Sequence, residues 1–134
     1  MTGDDLREIP LLAGLSEQGL ARVASAAAEV RAAPEQTLAL QGDTGSGMFV
    51  LLEGSVTVEL PSGELEIAAP DFVGELALIL PDTGRLGRVR AKTDVRCLSL
   101  PRADFDALVD SEPSFARALL VGLAERLADA RTAR

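Results

Sequence analysis

One short stretch of the chain has the chemistry to bind a small anion that also carries hydroxyl groups. Gly74 and Glu75 open an apolar helical turn, and Arg85 follows ten positions after the acid, beyond a Pro-Asp-Thr-Gly loop. The first N–H groups of a helix that begins near Gly74 lack intrahelical partners and carry partial positive charge, so they attract anions. Glycine has no Cβ and tolerates positive φ, so the backbone can approach a ligand closely. Arg85 can donate two parallel hydrogen bonds to a phosphate.

Glu75 restricts the kind of ligand that this stretch can bind. A carboxylate only accepts hydrogen bonds, so beside an anion it needs donors on the same ligand, such as a ribose hydroxyl. A nucleotide offers both a phosphate and those hydroxyls. The structural alternative is that Glu75 and Arg85 pair with each other across an empty pocket.

The elements around this stretch are mainly short strands. Residues 55–60 alternate, with Val56 and Val58 on one face and Thr57 and Glu59 on the other. Short apolar or alternating runs bounded by glycine-rich turns predict further strands, at residues 36–40, 48–53, 64–68, 88–92 and 95–100. Strands at this spacing predict a mostly β fold with flanking helices, either a sandwich or a jelly roll, and of the two we expect an antiparallel β jelly-roll barrel.

Helices are predicted at both ends of the chain. Residues 6–15 form a short helix or loop interrupted by Pro10 and Gly14, and Ser16 is a suitable N-cap for a helix over residues 17–31. The apolar stripe of that helix includes Ala27 and Val30. Residues 101–109 and 114–131 predict two further helices, separated by a break at residues 110–113.

The last predicted helix admits more than one role. Its residues Ala116, Leu120, Leu123, Leu127 and Ala130 recur at spacings of four and three, as in a two-stranded helical contact. The simplest interpretation is that the helix packs on its own barrel. The functional alternatives are a homodimer contact or a surface for an effector protein.

Composition and charge exclude several classes of function. The chain has 134 residues, which suits one domain, and a net charge of −8 with a single lysine, so we expect no direct nucleic-acid binding. No apolar run approaches a membrane span, and the acidic N-terminus is unlike a signal peptide. One cysteine, Cys97, cannot form an internal disulfide, which favours a cytoplasmic location, and we expect it to be a buried hydrophobe.

The absence of histidine argues against an enzyme. It removes the commonest general base and the usual zinc and iron ligand sets, including those of small β-barrel metalloenzymes. We therefore expect no catalytic residues, no metal and no cofactor.

The pattern Gly74-Glu75-Leu76-Ala77-Leu78, with Arg85 and then Val89-Arg90-Ala91, resembles the phosphate-binding cassette of cyclic nucleotide-binding domains. In that family, which includes catabolite activators and kinase regulatory subunits, the glutamate binds the ribose 2′-hydroxyl and the arginine binds the cyclic phosphate. The resemblance therefore implies a cyclic-nucleotide sensor with a short cassette helix and C-terminal lid helices. The ligand-binding residues that it implies are Gly74, Glu75, Leu76, Ala77, Arg85, Leu86, Gly87, Val89 and Arg126.

The resemblance also implies finer features. It places Arg126 where a family arginine approaches the glutamate, so Arg126 is expected to orient Glu75. Leu86 stands where a threonine favours cyclic GMP in some members, so the expected ligand is cyclic AMP rather than cyclic GMP. We expect a single domain over residues 1–134, with a helical start at about 1–33, a β-barrel at about 36–100 and C-terminal helices at about 101–132. No DNA-binding segment is expected after it.

The resemblance leaves a second function open. The chain is then a degenerate member of the family that keeps the fold, binds no ligand and serves as an interaction or dimerisation module.

Overall fold

A computed structural model of the protein describes residues 3–39, 47–79 and 87–132. Within these residues the strands are β1 (Ala28–Ala32), β2 (Thr37–Ala39), β3 (Gly47–Glu53), β4 (Ser55–Leu60), β5 (Gly63–Ala68), β6 (Phe72–Val73), β7 (Arg88–Ala91) and β8 (Val95–Pro101). The helices are α1 (Gly3–Arg7), α2 (Glu17–Ala26), α3 (Leu76–Ile79), α4 (Arg102–Ser111) and α5 (Pro113–Thr132), with a 3-10 turn at Pro10–Leu12. None of these helices combines the length and the apolar character that a membrane span requires.

The strands form two antiparallel sheets that enclose a jelly-roll-like interior, as the spacing of the strands predicted. One sheet has the order β1-β8-β3-β6 and the other the order β2-β7-β4-β5. The β4–β5 hairpin is in continuous register from Ser55 opposite Ala68 to Leu60 opposite Gly63. This topology brings β6 and β7, the strands on either side of the cassette, into different sheets.

Apolar residues are buried in two layers. Between the two sheets, alternate residues such as Val56, Ile67 and Val89 form one cluster. On the outer side of the first sheet, Met48 and Leu100 form a second cluster with helical residues. Within the described residues this helical cluster packs on the outer side of the first sheet, and α5 reaches the cassette from that side.

The predicted helix over residues 17–31 is too long. Ser16 is the N-cap, with its Oγ accepting from the Gly19 N–H, but the helix ends at Ala26 and residues 28–32 form β1. Val30 fits a helical stripe at a spacing of three, yet it pairs with Cys97 of β8. A β-branched residue opposite a long central strand favours the sheet, and that tertiary contact overrides the helical spacing.

Other boundaries differ by small amounts, and besides β1 a second strand, β6, was not predicted. Helix α4 begins at Arg102 with Pro101 as its N-cap residue and continues to Ser111, and α5 begins at Pro113. Strand β6 has only two residues, which is too short for an alternation pattern to show. Its pairing with β3 nevertheless sets the position of the cassette.

Candidate functional site

The candidate site is built where β6 turns into α3. Gly74 follows β6 with a φ of 93°, a left-handed conformation that side-chain-bearing residues rarely adopt. Helix α3 begins at Leu76, two residues later than the predicted start near Gly74. The carbonyl of Glu75 accepts hydrogen bonds from the N–H groups of Leu78 and Ile79. The backbone of Glu75 is therefore fixed by the first turn of the helix.

The side chain of Glu75 is almost completely buried. It has 2% of its surface exposed, which is rare for an acid unless it has a partner. Burial raises the pKa of the carboxyl above its ordinary value, and the positive charge of Arg126 opposes that rise. Burying the charged carboxylate of Glu75 costs folding free energy, so its presence in the interior is not explained by core packing.

Arg126 of α5 is the counter-charge. Its Nη1 donates to Glu75 Oε1 at 2.7 Å, and its Nη2 donates to Asp71 Oδ1 at 3.1 Å and to the Phe72 carbonyl at 2.6 Å. The guanidinium carbon also lies 4.9 Å from the centre of the Phe72 ring, within cation–π distance. We call this group, Arg126 with Glu75, Asp71 and Phe72, the clasp. It joins the last helix to the start of the cassette.

Gly122, one turn before Arg126, lets α5 lie close to Phe72. A Cβ at this glycine would be 2.8 Å from two atoms of the Phe72 ring, closer than real Cβ contacts. Glycine in the interior of a helix costs about 1 kcal/mol relative to alanine, so close packing is the reason for its presence here. The Phe72 ring therefore packs against α5 at Gly122 and also contacts the guanidinium of Arg126.

The structure brings some of the predicted ligand-binding residues together. Glu75 and Arg126 meet in the clasp, as expected, and Gly74 immediately precedes Glu75 at the turn out of β6. Leu76 and Ala77 lie in the first turn of α3. Gly87 precedes β7, where a Cβ would be 2.2 Å from the Glu59 carbonyl oxygen, and Val89 is buried between the sheets.

Arg85 and Leu86, and with them any pairing of Arg85 with Glu75, lie outside the described residues. The structure therefore describes Gly74 but not the arginine that is predicted to bind the phosphate. The partner that Glu75 has within the described residues is Arg126.

Sequence reasoning missed three residues of this region: Asp71, Phe72 and Gly122. Two weak signals were available. Asp71 and Glu75 are four positions apart on either side of a glycine, and Gly122 interrupts an otherwise strong helical sequence four positions before Arg126. Neither signal identifies a partner, because the contacts of the clasp join residues 51 to 55 positions apart.

A cleft borders the clasp. It has a volume of about 310 Å³ and is lined by Leu65 and Ile67 of β5, by Asp71, and by Arg126 and neighbouring residues of α5. The two β5 side chains provide an apolar wall, and the clasp provides charges. Glu66, Glu125 and Asp129 also line the cleft, so it is largely acidic and offers acceptors to a ligand that donates hydrogen bonds.

The remaining candidates for chemistry, in the part of the chain that the structure describes, are the acidic side chains and Cys97. No three acidic or cysteine side chains there are grouped so that they could bind a metal ion. Cys97 is fully buried, and burial raises the pKa of its thiol to about 11. It is therefore a protonated, unreactive thiol at neutral pH, as expected for a small buried hydrophobe.

Comparison with known proteins gives a consistent result. The family model described as cyclic nucleotide-binding domain matches residues 29–112. The chain is 41% identical over 86 residues to a cyclic nucleotide-gated potassium channel from Rhizobium etli, covering 64% of this chain and 24% of the channel. It is 34% identical over 112 residues to a cAMP-dependent protein kinase regulatory subunit from Colletotrichum orbiculare, covering 81% of this chain and 28% of the subunit.

A solved structure is similar over almost the whole chain. The N-terminal domain of a transcriptional regulator from Streptomyces coelicolor has a TM-score of 0.63 and 32% identity, covering 96% of this chain and 93% of that domain. The chain spans only about a quarter of the length of the curated relatives that it matches.

Proposed function

The chain belongs to the cyclic nucleotide-binding domain family, and from that premise we propose that it is a sensor that binds a cyclic nucleotide without catalysing its conversion. In this proposal Glu75 accepts a hydrogen bond from the ribose 2′-hydroxyl. The backbone at Gly74 and the side chain of Arg85 bind the cyclic phosphate. Leu76, Ala77, Leu86, Gly87 and Val89 complete the contacts around the ligand.

The observation that carries the proposal is the buried carboxylate of Glu75. Its side chain is 2% exposed, its pKa is raised by burial, and one of its oxygens is bound by an arginine from another element. Ionisable groups perturbed in this way concentrate at functional sites. An apolar residue at this position would give a more favourable core, so the carboxylate is best explained by a ligand that donates to it.

Signalling in this proposal passes through α5. Arg126 connects that helix to the same carboxylate that would bind the ribose. A ligand can shift a conformational equilibrium only if it interacts differently with the two states. A ligand hydroxyl bound to Glu75 changes the electrostatic field at Arg126. Ligand binding would therefore change the position of α5.

Cyclic AMP is the proposed ligand, ahead of cyclic GMP. The support is the resemblance at Leu86, which lacks the hydroxyl that favours cyclic GMP in some members. The proposed setting is the cytoplasm, where a buried thiol such as Cys97 stays reduced. The proposed output is a contact of α5 with an effector protein or a second copy, rather than with nucleic acid or a membrane.

Calorimetric titration with cyclic AMP and cyclic GMP tests the sensor. We expect binding to the unaltered chain, tighter for cyclic AMP, and its loss in Arg85→Ala. Arg88→Ala is the matched control, because Arg88 is exposed on β7 and pairs with Glu59. Binding that is absent or only millimolar for both nucleotides would refute the sensor, as would equal losses in the two arginine variants.

An interaction module is the second candidate, supported by the outer face of α5. Leu120 is 68% exposed and Leu127 is 56% exposed, seven positions apart on the same helix face. Exposed leucines at that spacing favour a contact with a second helix. Sedimentation at several concentrations tests a homodimer, and a monomer at all concentrations would leave this face to an effector protein.

A further inference from the structure

Contacts that do not involve Arg126 fix the position of Asp71. Its N–H donates to the Ala68 carbonyl at 3.1 Å, and its own carbonyl accepts from the Leu51 N–H at 2.8 Å. Its Oδ1 accepts from the N–H of Phe72 at 2.8 Å. The sheet and the next residue therefore determine where this carboxylate lies.

The same Oδ1 helps to fix the guanidinium of Arg126. Nη2 donates both to Asp71 Oδ1 at 3.1 Å and to the Phe72 carbonyl at 2.6 Å. A guanidinium is planar and rigid, so two acceptors on Nη2, with the ring of Phe72 against its face, also determine where Nη1 points. Nη1 points to Glu75 Oε1, at 2.7 Å.

Asp71 also has an electrostatic cost. It is a second negative charge near the buried Glu75, and its repulsion contributes to the raised pKa of Glu75, although burial contributes more. Like charges at short distance are unfavourable, and one guanidinium balances only one of the two carboxylates. A residue with this cost needs a compensating role, and the hydrogen bond to Nη2 provides one.

We propose that Asp71 is a positioning residue of the nucleotide site: it holds Arg126 through Nη2, so that Nη1 meets Glu75 and α5 stays at the cassette. The nucleotide in this proposal rests on the proposed function, but the hydrogen bond between Asp71 and Arg126 is present without a ligand. Asp71 itself need not touch the nucleotide. Its effect on binding is predicted to pass through Arg126.

A double-mutant cycle on cyclic AMP binding tests this route. Asp71→Ala should weaken the affinity about tenfold, the equivalent of one charge-assisted hydrogen bond. In an Arg126→Ala background the same change should have an effect of less than about twofold, because the partner is gone. Asp71→Asn keeps an oxygen acceptor and should recover most of the affinity.

The control is Asp106→Ala, which removes an equal charge from an exposed position of α4. It should leave the affinity unchanged. An Asp71→Ala effect of the same size in both backgrounds would overturn the proposal, as would no effect at all. The side chain of Asp71 is 43% exposed, so we expect the Asp71 variants to fold. Their melting temperatures check this expectation.

A readout without ligand separates this proposal from the proposed function. In ¹⁵N NMR spectra of the unliganded protein, the Nη groups of Arg126 should rotate slowly in the unaltered chain and in Asp71→Asn, and rapidly in Asp71→Ala. The signals are assigned by their loss in Arg126→Ala. If the unaltered chain binds neither nucleotide, the sensor fails, and these spectra alone decide the role of Asp71. Equal rotation in all three proteins would refute it.

Discussion

The two halves of α5 are held by different chemistry. In the first half Phe115 is fully buried and meets Phe105 of α4 edge to face, with ring centres 5.8 Å apart. In the second half the outward side chains are exposed, and the clasp at Arg126 provides the polar contacts to the cassette. Apolar burial is non-directional and persists whatever the state of the site, whereas the clasp depends on the charge of Glu75.

This difference separates stability from response. The start of α5 is also fixed by Glu112, whose two carboxylate oxygens accept from the N–H and Oγ of Ser16 at 2.8 Å each. The first half is therefore attached to the helical layer at several points. Under the proposed function, the second half is the part whose position a ligand on Glu75 can change, with the first half as its fixed base.

The largest expected effect is on the first half. Phe115→Ala removes a fully buried ring from the helical core and should lower the free energy of unfolding by about 3–5 kcal/mol. Urea denaturation measures it, with the exposed Leu120→Ala as the control expected to change stability by less than about 0.5 kcal/mol. A loss below that of the control would mean that this half is not the fixed base.

The second effect tests the clasp through its pH dependence. Arg126→Ala leaves the buried Glu75 without its counter-charge and should cost about 3 kcal/mol at pH 7. Removing the arginine raises the pKa of Glu75 further, so the folded variant takes up a proton more readily than the unfolded chain. The full loss in the free energy of unfolding is therefore expected at a pH above the pKa of Glu75 in the folded variant. The loss should shrink as the pH falls through that pKa toward 4.5, the ordinary value.

Arg22→Ala is the matched control for that experiment. Arg22 forms an exposed ion pair with Asp104 at 2.9 Å, and such surface pairs contribute about 0–1 kcal/mol. A pH-independent loss in Arg126→Ala would contradict the clasp, because it would mean that the long side chain contributes only by packing.

The third effect separates binding from stability at one residue. Glu75→Gln removes a charge that burial disfavours, so the variant should be at least as stable as the unaltered chain at pH 7. Because the folded-state pKa of Glu75 is raised, its protonation favours folding at low pH, and the variant should lose that gain in stability on acidification. Cyclic-nucleotide binding should weaken by about 1.5–3 kcal/mol, since the ribose hydroxyl loses a charged acceptor. Unchanged affinity by calorimetry would exclude Glu75 as that acceptor.

The sequence predicts local patterns well and distant contacts poorly. The alternation over residues 55–60 predicted β4 with the bounds that it has, because a half-buried strand shows its period directly. Residues 28–31 were misassigned to a helix, because Val30 fits both periods and only the partner strand β8 decides.

The candidate site shows the same limit. The approach of Arg126 to Glu75 was expected from family resemblance, not from any pattern within the sequence. Asp71 and Gly122 escaped prediction because their roles exist only when α5 lies against Phe72. A two-residue strand and a helix that begins 40 residues later must first be placed in space.

The smallest expected effect concerns the outer face of the second half. Leu127→Asp exchanges a side chain that is 56% exposed, so the free energy of unfolding of the isolated chain should change by less than about 0.5 kcal/mol. If the exposed leucines of α5, Leu120 and Leu127, form a contact between copies, the same change should abolish concentration-dependent association in sedimentation. The reason is that a charge would be buried between two helices. Loss of stability in dilute monomer would show instead that Leu127 packs on its own chain, and the contrast between the two halves of α5 would then disappear.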